Sequence, residues 1–224
     1  MALTLKECAD GAAAIYKNKD FPGWYLHSGR FDPKNKSVAG EAYSFGVYGC
    51  YNTPSSFMIS VRGSAKHFLT KDWTDDDATI GIGRTPDRYA AALAFTQVKQ
   101  LEWPTASFIV VGHSLGGHIA QMIGVSCDLP FITWNAPPAL GTWTGRLPNG
   151  VNPATFKKGL NFRVNYDPVS KTSGKHVGPL ITLRLAGKSV ISAHGKGGYL
   201  HALKMEGMEH WHAHDMIRNA NGPG

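Results

Sequence analysis

The stretch FIVVGHSLGGHIA, residues 108–120, constrains the fold more than any other part of the sequence. An apolar, β-branched run ends at Gly112, and an amphipathic helical pattern begins directly after Ser114. The segment GHSLG (112–116) therefore has the G-x-S-x-G pattern in the strand–turn–helix setting of a nucleophile elbow. Its glycines remove side chains that would collide across a tight turn. The positive end of the following helix favours a developing oxyanion, so Ser114 is the candidate nucleophile.

A Gly-rich turn before a helix can also bind phosphate, but the chain contains neither G-x-x-x-x-G-K-[ST] nor G-x-G-x-x-G. Strand and helix patterns alternate on both sides of the turn, which predicts an α/β domain with a mostly parallel central sheet flanked by helices. The 224 residues suffice for one domain over 1–224. Strands are predicted over 43–49, 57–62, 107–111, 131–134, 160–165 and 180–185, and helices over 85–101 and 115–127. The segment 186–209 is rich in Gly and Lys and shows no clear period.

A serine hydroxyl needs a base and an orienting acid, which follow in the order Ser, acid, His in this type of elbow protein. Asp128 follows the elbow helix too closely to be the usual acid. Asp167 ends a predicted strand and precedes Pro168, which favours an extended backbone at the preceding residue. Asp167 is therefore the candidate acid, although an Asp-Pro pair can also be a simple turn.

The stretch EHWHAHDM, residues 209–216, places histidines at positions 210, 212 and 214. On a strand the three imidazoles would share a face, as a metal site requires. No further Cys/His cluster supports a metal, so none is predicted. We favour one catalytic base among the three, and the residues alone leave His214, His212 and His210 open.

Several stretches resemble, in order, the class 3 lipases, the fungal-type triacylglycerol lipases with their bacterial relatives. The resemblance covers about residues 43–216 and implies an α/β-hydrolase fold. The elbow and the Asp-Pro-Val loop carry most of its specificity. The matching stretches are SVRGS (60–64), DWTDD (72–76), VGHSLGG (111–117), TWNAPPALG (133–141), RVNYDPVS (163–170) and AHDM (213–216).

The resemblance implies a role for each matching residue. Ser114, Asp167 and His214 would form a catalytic triad that needs no cofactor. The backbone N–H of Leu115 would form an oxyanion hole together with the backbone and hydroxyl of Ser64. Trp73 would lie in or beside a lid, at about residues 65–82, that covers the acyl site.

Charge is unevenly distributed, with 11 basic and 4 acidic side chains after residue 128 and a net charge of +7 overall. This basic half favours contact with an anionic membrane surface, whereas its scattered lysines do not indicate nucleic-acid binding. The N-terminus lacks the apolar core of a signal peptide, and no apolar run approaches the length of a membrane span. We therefore expect a cytoplasmic protein or one exported by a non-classical or specialised system.

These observations together predict a serine ester hydrolase of the triacylglycerol lipase or phospholipase A type, acting on fatty acyl esters through an acyl-enzyme. A soluble short-chain esterase is the alternative among enzymes. A non-catalytic, lipase-like binding protein is the alternative from another class.

Overall fold

The computed structural model describes residues 3–31, 44–50, 53–63, 87–141, 150–172, 174–185 and 193–222. These residues contain a seven-stranded sheet whose strand order follows the chain. The first three strands pair antiparallel, and the third to the seventh are parallel. The predicted α/β fold with a mostly parallel sheet is confirmed. The strands are β1 (Trp24–Phe31), β2 (Ser44–Cys50), β3 (Thr53–Val61), β4 (Ser107–His113), β5 (Phe131–Trp134), β6 (Gly159–Val164) and β7 (Leu180–Leu183).

Helices cover both faces of this sheet. Two of them pack on one face and three on the other, so each face has its own apolar core. None of the helices in the described ranges is both long enough and apolar enough to cross a bilayer. The first face carries α2 (Asp87–Glu102) and α3 (Leu115–Ser126), and the second carries α1 (Leu5–Ala14), α4 (Lys196–Met205) and α5 (Ala213–Asn221).

The two cores arise from the period of two along the central strands. In β4, Ile109 lies in the core beneath α1, and the next residue, Val110, lies in the core beneath α3. The same alternation places Met58 and Ile59 of β3 in opposite cores. Most residues that face either side are apolar, as expected for parallel strands covered on both faces.

Two elements near the N-terminus, α1 and β1, were not predicted from the sequence. Thr4 caps α1: its hydroxyl accepts from the N–H of Glu7, and the Glu7 carboxylate accepts from the N–H of Thr4. Such a capping box stabilises a helix by about 1 kcal/mol. Glu7 also accepts from the indole N–H of Trp24 at 3.1 Å, which connects α1 to the start of β1.

The parallel arrangement determines where functional side chains can meet. The carboxyl ends of β4, β5, β6 and β7 lie at one edge of the sheet. The turn after β4 carries Ser114, the turn after β5 carries Asn135, and the turn after β6 carries Asp167. Crevices outside this edge are where open α/β sheets bind ligands.

Candidate active site

Ser114 connects β4 directly to α3 in a strained turn. Its φ of 58° and ψ of −135° lie where non-glycine residues are rare, at a cost of about 1–3 kcal/mol. The Ser114 N–H donates to the carbonyl of Trp134 at 3.0 Å. A Cβ added to Gly112 would collide with the backbone of Gly116, so only glycine allows this close approach. The turn is thus held by its neighbour strand and by two glycines, as the G-x-S-x-G pattern predicts.

His194 lies between the Ser114 hydroxyl and the Asp167 carboxylate. Its Nε2 is 3.0 Å from Ser114 Oγ, and its Nδ1 is 2.7 Å from Asp167 Oδ1. An ionised carboxylate only accepts hydrogen bonds, so Nδ1 carries the proton and donates. Nε2 is then free to accept the hydroxyl proton of Ser114. This is the geometry of a nucleophile, a base and an orienting acid.

Asp167 is fully buried at the end of β6. Burial alone raises the pKa of its carboxyl group. The hydrogen bond and charge of His194, together with the N–H of Ser170 at 2.9 Å from Oδ2, outweigh burial and hold the pKa below its ordinary value. Both carboxylate oxygens therefore have donors, and the group is anionic at neutral pH.

His113, the residue before Ser114, connects three parts of the site. Its Nε2 lies 2.7 Å from the carbonyl oxygen of His194, which can only accept, so Nε2 carries the proton. Its Nδ1 then accepts from the Tyr16 hydroxyl at 2.8 Å, and that hydroxyl accepts from the Gly63 N–H at 3.2 Å. Burial, followed by the nearby His194, lowers the pKa of His113 to about 3, so its imidazole is neutral.

Asn135, which follows β5, also holds the backbone at Ala193 and His194. Its side-chain amide donates to the carbonyl of Ala193 at 2.8 Å and to that of His194 at 3.2 Å. Its side-chain oxygen accepts from the Val164 N–H at 2.8 Å, at the end of β6. The His194 backbone is therefore fixed to the ends of β4, β5 and β6.

Two of the predicted residues around this site lie outside the described residues. These are Ser64, predicted for the oxyanion hole, and Trp73, predicted for a lid within residues 65–82. Leu115, the other predicted oxyanion donor, is the first residue of α3. Its N–H has no intrahelical acceptor, as is general for the first turn of a helix, and it directly follows the Ser114 hydroxyl in the chain.

His214 does not lie at this site. It is exposed near the start of α5, and it lines a small cavity together with Ser107, the first residue of β4. Ser114 follows the opposite end of that seven-residue strand, roughly 20 Å away at 3.3 Å per residue. The structure therefore does not place His214 beside Ser114 and Asp167 as predicted, and His194 occupies that position. The alternatives His210 and His212 are also exposed, just before α5.

Within the described ranges, no three His, Cys, Asp or Glu side chains are grouped closely enough to hold a metal ion. The three closely spaced histidines occupy a turn and the first residues of α5 and do not converge.

Comparisons with known proteins agree with this arrangement at the level of fold. No protein-family model matches the sequence. The extracellular phospholipase A1 of Serratia liquefaciens is 26% identical over 129 residues, which are 57% of this chain and 37% of that protein. The match thus covers well under half the length of that curated relative.

Solved structures of lipases superpose over most of the chain. M37 lipase has a TM-score of 0.59 at 11% identity and covers 92% of this chain and 96% of its own. Rhizomucor miehei lipase, in complex with its propeptide, has a TM-score of 0.51 at 15% identity and covers 82% of this chain and 70% of its own. The chain has the fold of the class 3 lipases. The resemblance seen in the sequence and the α/β-hydrolase fold are thereby confirmed.

One signal for the position of His194 was present in the sequence, in the order of the predicted strands. β7 ends at Leu183, and the chain that leaves its carboxyl end comes out at the same edge as Ser114 and Asp167. His194 is the first histidine after that strand. His176 comes before β7 in the chain, so it does not follow the carboxyl end of that strand.

Proposed function

We propose that the protein is a serine hydrolase that cleaves carboxylic esters of lipids. The observation that carries the proposal is the position of His194, whose two ring nitrogens contact the Ser114 hydroxyl and the Asp167 carboxylate at 3.0 and 2.7 Å. Side chains from three separate segments meet in the order that nucleophilic acyl transfer requires. The strained backbone of Ser114 supports the same interpretation, since such strain concentrates at functional sites.

The reaction proceeds in two halves. Ser114 Oγ attacks the ester carbonyl while His194 Nε2 takes the hydroxyl proton, which forms a tetrahedral oxyanion. His194 then gives that proton to the leaving alcohol as the carbon–oxygen bond breaks, and an acyl-enzyme remains. Water then attacks the acyl-enzyme carbonyl while His194 Nε2 takes a proton from the water. The bond between the acyl carbon and Ser114 Oγ breaks as His194 gives that proton to Oγ, and the fatty acid leaves.

Negative charge develops on the carbonyl oxygen of the substrate in each half of the reaction. The Leu115 N–H, at the positive end of α3, is the donor we propose for it, together with Ser64. Asp167 stays ionised and stabilises the imidazolium that forms on His194.

A lipid is the substrate class that the comparisons favour. The sequence relative bears the name phospholipase A1, and the structures that share the fold are lipases. We therefore propose activity of the lipase or phospholipase A type, at a membrane or lipid surface that the basic half of the chain would approach by charge attraction.

Hydrolysis of p-nitrophenyl butyrate by four proteins tests the proposed chemistry. Relative to the wild type, Ser114→Ala and His194→Ala should each lose roughly 10⁴-fold or more in kcat/KM. His214→Ala, the matched histidine control, should keep the wild-type value. Equal activity of the wild type and Ser114→Ala would contradict the proposal. Hydrolysis of diacylglycerol dispersions above their solubility limit then distinguishes a lipid hydrolase from a short-chain esterase.

A further inference from the structure

Two cationic side chains lie over one aromatic ring beside the candidate active site, and a third is near one of them. The Lys196 ammonium lies 4.3 Å from the centre of the Tyr16 ring, and the Arg62 guanidinium carbon lies 5.5 Å from it. Lys17, the next residue after Tyr16, is exposed and close enough to Lys196 to act on its charge. We call Lys17, Arg62 and Lys196 the cationic cluster.

The cationic cluster lies near Ser114 through Tyr16, because a Cβ added to Gly63 would come within 2.6 Å of the Tyr16 hydroxyl. Lys196 follows His194 by two residues, at the start of α4. Arg62 precedes Gly63, where an added Cβ would come within 3.1 Å of the Ser114 Cβ. The Tyr16 ring and the two cations on it are therefore neighbours of the Ser114 turn.

Lys196 lies close to like charges, which disfavour its own charged form. Burial, then the charges of Lys17 and Arg62, lower the pKa of Lys196. Among the described residues, no carboxylate forms an ion pair with Lys17 or Lys196. Asp10, in the last turns of α1, is instead paired with Lys6 at 2.6 Å. An anion that binds between the cations would relieve their repulsion.

We propose that the cationic cluster binds the phosphodiester of a phospholipid whose acyl ester lies at Ser114. This assignment rests on the proposed hydrolysis of lipid esters and specifies its substrate class. The glycerol unit of a phospholipid joins a scissile acyl ester to a phosphodiester a few bonds away, which matches a nucleophile with cations nearby. A neutral glyceride offers no anion at that position, so the cluster favours phospholipids over acylglycerols of the same chain length.

The first experiment compares three substrates in each protein. Phosphatidylglycerol and diacylglycerol with identical acyl chains are presented in the same non-ionic detergent micelles. Hydrolysis of p-nitrophenyl butyrate, which has no phosphodiester, measures the activity of the proposed catalytic residues alone. Lys17→Gln and Lys196→Gln should each lower kcat/KM for phosphatidylglycerol by about tenfold, since hydrogen bonds to charged groups contribute on that scale. Activity on the two neutral substrates should stay within about twofold, and Lys196→Arg should recover activity on phosphatidylglycerol.

Lys204→Gln is the matched control, because Lys204 is an exposed lysine in the last turn of the same helix, α4. An equal loss in Lys204→Gln would mean general attraction to the micelle surface and would overturn the assignment. An equal loss on all three substrates in Lys196→Gln would also overturn it, because the lysine would then support His194 and not the headgroup.

A binding measurement separates this proposal from the hydrolase proposal. Calorimetry measures how Ser114→Ala, which cannot turn over, binds soluble dihexanoylphosphatidylglycerol. The double variant with Lys196→Gln should bind this lipid with a dissociation constant about tenfold higher. Inorganic phosphate is titrated in parallel. Tight binding of inorganic phosphate with no binding of the lipid would identify a site for free phosphate and overturn the proposal. Failure of butyrate hydrolysis with intact lipid binding would instead refute only the proposed chemistry.

Discussion

The imidazole Nε2 of His113 lies 2.7 Å from the carbonyl oxygen of His194, so the residue before Ser114 holds the backbone of the residue that contacts its hydroxyl. The contact spans 81 positions in the sequence. His113 touches no reacting atom in the proposed mechanism and is therefore a positioning residue. Its neutral imidazole connects the Tyr16 hydroxyl to the His194 backbone.

We expect His113→Ala to lower kcat for p-nitrophenyl butyrate by roughly 10- to 100-fold with little change in KM, because a small displacement of the base costs that much. His113→Gln keeps a side-chain donor and should recover part of the loss. Burial, and after it the charge of His194, lowers the pKa of His113 to about 3. His113 is therefore neutral over the pH range of the assay, and the midpoint of the pH–rate profile should be the same in both variants as in the wild type. An unchanged kcat in His113→Ala would show that His113 does not position His194.

The local parts of this site were accessible from the sequence. Ser114 and Asp167 were predicted because each belongs to a short pattern, a strand–turn–helix and a strand followed by Asp-Pro, that forms its structure within a few residues. His194 was missed because its position depends on where the sheet brings the chain after β7, and the surrounding segment has no period. Asn135 was missed because a single buried Asn has no sequence signature; its role exists only through β6 and His194.

Acid should destabilise the protein well above the pH at which carboxylates titrate. Burial is the first cause that lowers the pKa of His113 to about 3, of His118 to about 4 and of His176 to about 4. Below pH 6.5, the ordinary value, the unfolded chain binds protons that the folded protein excludes. Stability therefore falls with decreasing pH from about 6.5 to 4, by at most roughly 1.4 kcal/mol per pH unit for each histidine.

Urea unfolding of the wild type at a series of pH values between 7 and about 4.5 measures this slope. His118→Gln should reduce the slope by the contribution of one buried histidine. A wild-type stability that is flat across this range would contradict the neutral state of the three imidazoles in the folded protein.

Two glycines that flank the site should respond to alanine in opposite directions. A Cβ at Gly63 would come within 2.6 Å of both the His113 carbonyl oxygen and the Tyr16 hydroxyl. Backbone cannot yield cheaply, so Gly63→Ala should displace the Ser114 turn and lower butyrate hydrolysis by about tenfold or more. Gly197 lies in α4 with no atom within 4 Å of an added Cβ, so Gly197→Ala should stabilise the protein by about 0.5–1 kcal/mol.

Both glycine variants are compared by urea unfolding and by kcat/KM. The result that would contradict the packing around Gly63 is a Gly63→Ala protein with wild-type activity and stability. A destabilised Gly197→Ala protein would contradict the helical, open setting of that residue.

Asn135 should be required for stability as well as for activity, and its substitutions can separate the two. The side chain is fully buried and its φ is 49°, a left-handed value that Asn tolerates better than most residues. Asn135→Ala leaves the Val164 N–H and the Ala193 carbonyl without their partner and should cost about 2–5 kcal/mol in the free energy of unfolding. Asn135→Gly removes the same bonds but relaxes the backbone, so it should be less destabilised than Asn135→Ala.

Asn135→Asp isolates the contact with the His194 segment. An aspartate can still accept from the Val164 N–H, but it cannot donate to the carbonyls of Ala193 and His194. Its negative charge would also face those two carbonyl oxygens. We therefore expect kcat for p-nitrophenyl butyrate to fall more in Asn135→Asp than in Asn135→Gly, once both are measured at a temperature where they are folded. The opposite order would mean that Asn135 acts through β6 alone and that His113 carries the positioning of His194.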